Sequence, residues 1–251
     1  MKIITIANQK GGVGKTTLSF NLAHTFAAKK GTKVLAVDND PQGNLTSSFL
    51  KNQDELTGNI VNVYNEKKVQ PEWINKSLAL LGSNTNLAPV AERAYPIIFK
   101  LREYLETQQQ DFDYCFIDCL PSFGCLHLAA LNAADYVLIP IKPAPYAFGG
   151  MKEFFKTLET IKKYHNPTLE VLGIVINQFD GRNPIMEREM EEALREIYGK
   201  KVLKAKINKR IKVEESPAFQ KSIIQYDPKG KSAEEFKVLT NEIMKRLRNG
   251  N

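Results

Sequence analysis

The sequence predicts a doubly wound α/β fold, a mostly parallel β-sheet flanked by helices. Three observations carry that prediction. The first 38 residues read as strand, glycine loop, helix and strand. The same alternation resumes at residue 114 and runs to the C-terminus. The polar residues at the predicted strand ends gather on one edge of the sheet.

"KIITIAN" (2–8) is short, apolar and β-branched, the pattern of a buried strand. A glycine loop follows. Residues 15–30 predict a helix with Leu18, Leu22, Ala23, Phe26 and Ala27 on one face, ended by Gly31. "KVLAVD" (33–38) predicts the next strand, which completes a βαβ unit and so implies parallel pairing. The middle region, 51–112, is weaker, with helices expected near 59–66 and 89–107 around a strand near 78–82. Strands at 114–118, 136–141 and 170–177 then alternate with helices near 124–133, 148–163 and 184–199. The last helix, 232–248, aligns Phe236, Leu239, Ile243 and Leu247.

The chain has 251 residues, 43% hydrophobic and 25% charged, which suits a single domain over 1–251 with a substantial core. No apolar run approaches the roughly 18 residues of a membrane span, and the first residues do not read as a signal peptide. A cytoplasmic protein is expected. Cys115, Cys119 and Cys125 are spaced C-x3-C and C-x5-C, with no C-x2-C pair, so they read as ordinary thiols. An iron–sulfur carrier would need cysteines placed to bridge a cluster.

Net charge is +7 and unevenly placed. Residues 195–251 hold 15 Lys/Arg against 7 Asp/Glu, so that segment alone is +8. Its densest run, "KKVLKAKINKRIK" (200–212), has seven basic residues and no acid. The bland reading is a solvated face; an excess this one-sided points to a polyanionic partner.

In open α/β sheets ligands bind beyond the carboxyl ends of the strands. Here those ends are Gln9-Lys10, Asp38-Asn39-Asp40, Asp118, Pro140–Pro143 and Asn177. Gly11, Gly12 and Gly14 let the backbone wrap phosphates with N–H groups inward, and the helix opening at Lys15 adds its dipole. Lys15 is placed to reach β/γ-phosphates, and the Thr16 hydroxyl to ligate Mg²⁺. Asp118, after an apolar strand, would hold a water on that Mg²⁺. Asp38 and Asp40 flank a strand end beside this loop, where a carboxylate can orient an attacking water; a lone Asp there is more often a turn residue. One feature departs from the usual phosphate loop. Where its first glycine belongs stands Gln9, followed by a second lysine, Lys10.

"KGGVGKTT", "VLAVDNDPQGN", "FIDCLPSFG", "GIVINQFDGR" and "SPAFQKSIIQYDPKGKSAEEF" together resemble the ParA/Soj family of partitioning ATPases, within the deviant Walker A group that also holds MinD. The resemblance covers nearly the whole chain. It implies a P-loop NTPase using ATP and Mg²⁺, weakly active alone. Nucleotide contacts carry over to Lys10, Gly11, Gly12, Val13, Gly14, Lys15, Thr16 and Thr17. Lys10 would cross to the partner's phosphates in an ATP-dependent homodimer, as an arginine finger does in trans. Asp40 would position the hydrolytic water. Asn177 would bond adenine, and Pro217, Ala218 and Phe219 would line base and ribose. Arg182, Lys209, Arg210 and Lys212 would contact DNA without sequence preference, placing the protein on the nucleoid. A centromere-binding ParB-type protein would be the partner.

Two stretches depart from the family pattern, Asp118-Cys119-Leu120-Pro121 and "KPAPYAFGG" (142–150). With the glycine loop opening at residue 9, no N-terminal helix-turn-helix is expected. The alternative reading, MinD-like membrane cycling, would use the last helix as a lipid anchor, but that apolar stripe is expected to pack on the sheet, so no stable membrane association is expected. A metabolic ligase or kinase is a further alternative.

Overall fold

The computed structural model describes the chain except residues 54–55, 94, 123, 145–146, 181–183 and 250–251, and except the side chains of residues 95, 147, 184 and 249. In chain order, β1 (Lys2–Ile6) leads through the glycine loop to α1 (Lys15–Ala27). Then come β2 (Val34–Asn39), α2 (Asn44–Phe49), α3 (Ile60–Tyr64), β3 (Glu72–Asn75) and β4 (Leu78–Leu81). Next are α4 (Ala88–Ala91), α5 (Lys100–Thr107), β5 (Tyr114–Cys119), α6 (Cys125–Ala133) and β6 (Tyr136–Ile141). Last come α7 (Ala147–Tyr164), β7 (Glu170–Phe179), α8 (Pro184–Tyr198), β8 (Val202–Asn208), α9 (Ile211–Glu215), α10 (Ile223–Tyr226) and α11 (Lys231–Asn249).

The strands form one sheet in the order β3-β4-β2-β5-β1-β6-β7-β8, parallel apart from the antiparallel β3–β4 pair. The central strands are apolar runs because both faces are covered. Alternate residues feed two cores. Ile3, Leu35, Val37 and Ile117 face one core with α5, α6 and α7. Ile4, Ile6, Ala36 and Phe116 face the other, with Leu18, Leu22 and Phe26 of α1 and Phe236, Leu239, Ile243 and Leu247 of α11. The α11 stripe is therefore spent on the sheet, as its spacing predicts. Among the described residues, no helix is long and apolar enough to cross a membrane.

Several elements differ from expectation, α2, α9 and α10 among them as helices the sequence did not announce. The predicted 89–107 helix is broken: α4 ends at Ala91, a 3-10 turn occupies Tyr95–Phe99, and α5 follows. Pro96 has no N–H to continue a helical ladder and disfavours helix in the residue before it. The first helix stops at Ala27, and Gly31 (φ 75°) belongs to the turn after it. β3 is an added antiparallel edge strand. The basic run at 200–212 contains β8, the other edge of the sheet. Val202, Leu203, Ala205 and Ile207 of β8 are buried while Lys204 is exposed, and lysine on an edge strand opposes strand addition by another chain.

Candidate nucleotide site

β1, β2, β5 and β6 end side by side, so the loops that leave them share one rim. Registration of Asp38 on β2 against Asp118 on β5, and of Ile6 on β1 against the same Asp118, sets two carboxylates beside the start of the glycine loop. The loop is built by hydrogen bonds to its neighbours. Asn8 Nδ2 donates to the Pro140 carbonyl (2.7 Å), and Asn8 Oδ1 accepts from the Lys10 amide (2.9 Å). Asn177 Nδ2 donates to the Val13 carbonyl (2.7 Å), and Gln178 Nε2 to the Gly12 carbonyl (3.1 Å). These bonds occupy the Gly12 and Val13 carbonyls, so amides of the same loop would be the groups offered to an anion. Gly12 (φ 71°) and Gly14 (φ 84°) take left-handed conformations in this loop. No side chain caps the N-terminus of α1, so its first amides stay available to an anion.

Lys15 is buried, and its ammonium donates to the carbonyls of Asn8 (3.2 Å) and Lys10 (3.1 Å). Burial lowers its pKa against the upward pull of Asp118 and Asp40. Phosphate oxygens would replace those two carbonyls with charged acceptors. Lys10 is exposed, and its side chain enters no hydrogen bond or ion pair among the described residues.

Asp118 is buried. Its Oδ1 accepts from the Ser19 hydroxyl (3.0 Å), which in turn ties it to α1, while Oδ2 is buried without a partner. Burial, aided by Asp38, pushes this carboxyl up to about 7, against the Thr16 and Ser19 hydroxyls and Lys15. An orphaned carboxylate oxygen near a half-buried threonine hydroxyl is the donor set that a hydrated Mg²⁺ takes, one hydroxyl directly and one carboxylate through water. Thr16 and Asp118 thus fit the metal the sequence assigned to them.

The two aspartates after β2 separate into different roles. Asp38 is fully buried: Oδ2 accepts from the Thr46 amide and hydroxyl (both 2.8 Å), and Oδ1 from the Asp40 amide (3.2 Å). Burial holds its carboxyl at about 6 despite these donors. It is a structural latch. Asp40 sits one turn further out, near enough to Lys15 to act on its charge, with Oδ1 on the Gln42 amide (2.9 Å).

Asn177 is brought to the site, but onto the loop: its amide nitrogen is committed to Val13, a brace that sequence reading missed along with Asn8, Ser19 and Gln178. Thr17 and Gly11 lie on the loop and first helical turn as expected. Pro217, Ala218 and Phe219 form a 3-10 turn (Ser216–Phe219) that leads into α10, and the Ile223 amide there donates to Asn21 Oδ1 of α1 (2.7 Å). Phe219 is exposed and stacks on Tyr226. The basic residues are less free than their charges suggest. Lys209 is exposed, but Arg210 pairs with Glu235 (2.7 Å) and Lys212 with Asp227 (2.8 Å). Arg182 lies outside the described residues.

A parallel sheet with a two-lysine glycine loop at its switch point and a carboxylate on the adjacent strand defines a P-loop nucleotide-binding protein of the deviant Walker A type. Known proteins agree. A family model described as an AAA domain matches residues 1–171. The chain is 37% identical to the chromosome partitioning protein ParA of Myxococcus xanthus, over 98% of this chain and 88% of that protein. It is 34% identical to the sporulation initiation inhibitor protein Soj of Bacillus subtilis, over 96% and 98%. Among solved structures it resembles a cobyrinic acid a,c-diamide synthase from Mycobacterium smegmatis with bound ATP analogue and magnesium (TM-score 0.82, 29% identity, 100% of this chain and 97% of that one). It also resembles a plasmid partition protein from Borrelia burgdorferi bound to AMPPNP (TM-score 0.82, 25% identity, 98% and 99%). The chain belongs to the ParA/Soj family of partitioning ATPases.

Proposed function

We propose that this chain is an ATP-driven DNA-partitioning switch: two copies close around two ATP·Mg²⁺, the dimer binds DNA without sequence preference, and hydrolysis releases it. The observation that carries this reading is the second lysine. Lys15 is folded into its own loop, whereas Lys10 is exposed beside the same loop, and its side chain has no hydrogen-bond or ion-pair partner among the described residues. A cation in that position has a use if a second molecule presents phosphates to it. Lys15, Thr16 and the loop amides hold the phosphates, and Thr16 and Asp118 the metal. Asp40 orients the attacking water. Asn177 and the turn of Pro217, Ala218 and Phe219 border the base. Arg182, Lys209, Arg210 and Lys212 contact DNA phosphates, while Arg210 also pairs with Glu235 of α11. Basal turnover is slow, and a ParB-type centromere-binding protein accelerates it.

Light scattering tests the switch. Asp40→Ala with ATP should have twice the mass of the same protein with ADP; a single-chain mass in ATP would sink the proposal. The likeness to a diamide synthase supports a second reading, a metabolic ligase. That reading requires ATP turnover to rise with a small carboxylic acid and not with DNA plus partner. The MinD-like alternative would need an anchor other than the apolar stripe of α11, whose Phe236, Leu239, Ile243 and Leu247 are buried.

A further inference from the structure

A cavity of about 1170 Å³ lies at the rim of the sheet opposite the phosphate loop. It is bounded by the end of α8, the turn Gly199–Lys201, the first half of β8 and the outer side of α11. A second cavity of about 470 Å³, under α7, lies beside it and shares Val171 and Lys201 as lining. The floor is aliphatic: Val171, Val202, Ala205 and Val238. Val238 is 47% exposed, on the side of α11 away from its buried stripe.

The rim is positive. Lys200, Lys204 and Lys245 enter no ion pair among the described residues, and Lys201 lies over the Phe155 ring (5.4 Å). One carboxylate, Glu242, lines the larger cavity, and it is occupied: it accepts from the Lys204 amide (2.9 Å), the Ala205 amide (2.8 Å) and Arg246 (3.4 Å), while Glu159 and Glu170 line the smaller one. These bonds also decide the shape of an occupant. Glu242 covers two edge amides of β8 and Glu235 a third, at Asn208 (3.1 Å), so an added strand would find those donors taken. The volume exceeds the roughly 300–1,000 Å³ of small-molecule pockets. An aliphatic floor gives a nucleic acid backbone no donors, whereas it fits the apolar side of a helix.

We propose that this groove docks an acidic amphipathic helix of a partner protein, with leucine-like side chains on the valine floor and carboxylates against the lysine rim. The site is remote from the nucleotide, so it works with or without ATP.

The test uses the full chain and a fluorescein-labelled peptide of about 20 residues, leucines at helical spacing and glutamates elsewhere, followed by anisotropy. A scrambled peptide of the same composition and a duplex DNA are run beside it. The expected result is binding of the patterned peptide, weakened at least about tenfold by scrambling, by Lys204→Glu/Lys245→Glu and by Val238→Asp. Melting temperature and basal ATP turnover of the variants should stay at wild-type values, since none touches the nucleotide site. Equal affinity for the scrambled peptide, or indifference to Val238→Asp, overturns the proposal in favour of plain charge attraction. Displacement of the peptide by the duplex, with duplex binding falling equally in the lysine variant, reassigns the groove to nucleic acid. A monomeric protein in ATP would refute the proposed switch and leave this result standing.

Discussion

At the residue scale, Asp38, Asp118 and Asn177 are each fixed by a specific contact, and the glycines of one loop are not equivalent. Gly14 has φ 84°, and a Cβ there would collide with Asn177 Nδ2, the group that braces the Val13 carbonyl. Gly11 has open space around it and no left-handed φ. Gly14→Ala should therefore lower unfolding free energy by about 2–4 kcal/mol, and Gly11→Ala by less than about 0.5 kcal/mol. Denaturant titration without nucleotide separates them; equal losses would show that the brace does not hold the loop. The same reasoning makes Asp38 a positioning residue. Its carboxylate accepts from three donors, and an amide nitrogen in its place would face a donor. Asp38→Asn should leave ATP affinity nearly unchanged and reduce kcat roughly 10–100-fold through a displaced Asp40. Thr46→Ser should retain turnover and Thr46→Val should lose it; a kcat that survives Asp38→Asn would make the latch structural only.

At the element scale, α1 carries a buried histidine with a calculable consequence. His24 packs edge-on to Phe20 (4.9 Å) and stacks on Phe49 (5.3 Å), and its Nε2 is buried without a partner. Burial lowers its pKa to about 4. The unfolded chain takes up that proton near pH 6.5 and the folded chain does not, so stability present above pH 6.5 is lost as pH falls from 6.5 through 4. At pH 5 the loss is about 2 kcal/mol. Asp38 and Asp118, with raised folded values, act in the opposite direction, so the measurement is the difference between proteins. His24→Phe should match wild type within about 1 kcal/mol at pH 7 and gain about 2 kcal/mol on it at pH 5. Parallel pH profiles would mean that His24 is protonated in the fold.

Elements were legible where one physical signal dominated. The βαβ start, β5 to β7 and α11 announce themselves by buried apolar runs or a single helical stripe, and the strand-end rule brings the glycine loop, Asp38 and Asp118 to one rim, where the structure has them. β8 was hidden because lysines on an edge strand serve solubility while alternate residues serve the core. The charge count therefore masked a period-2 pattern. α2 was hidden because its amide donors are satisfied by Asp38, a partner eight residues before Thr46. The bond of Asn177 to Val13 was not legible, because it spans 164 positions of sequence, which no local pattern encodes.

At the scale of the whole molecule, charge is segregated but partly neutralised. The C-terminal segment is +8, yet Lys206 pairs with Glu191, Arg210 with Glu235 and Lys212 with Asp227. Among the described residues, one copy therefore offers DNA few uncommitted cations near the ends of β7 and β8, and its affinity should be low. In the proposed switch, pairing two copies through ATP would double the phosphate contacts without any new residue, and nucleotide control of DNA binding would be an avidity effect. Each phosphate contact contributes about −0.9 to the slope of log K against log salt concentration. The slope with ATP should thus be roughly twice that with ADP, and Lys10→Ala with ATP should fall back to the ADP slope while retaining ATP affinity. Filter retention of a duplex across a salt series measures all three. If Lys10→Ala keeps the steeper slope, DNA binding is set within one copy, and the exposed lysine has some other use.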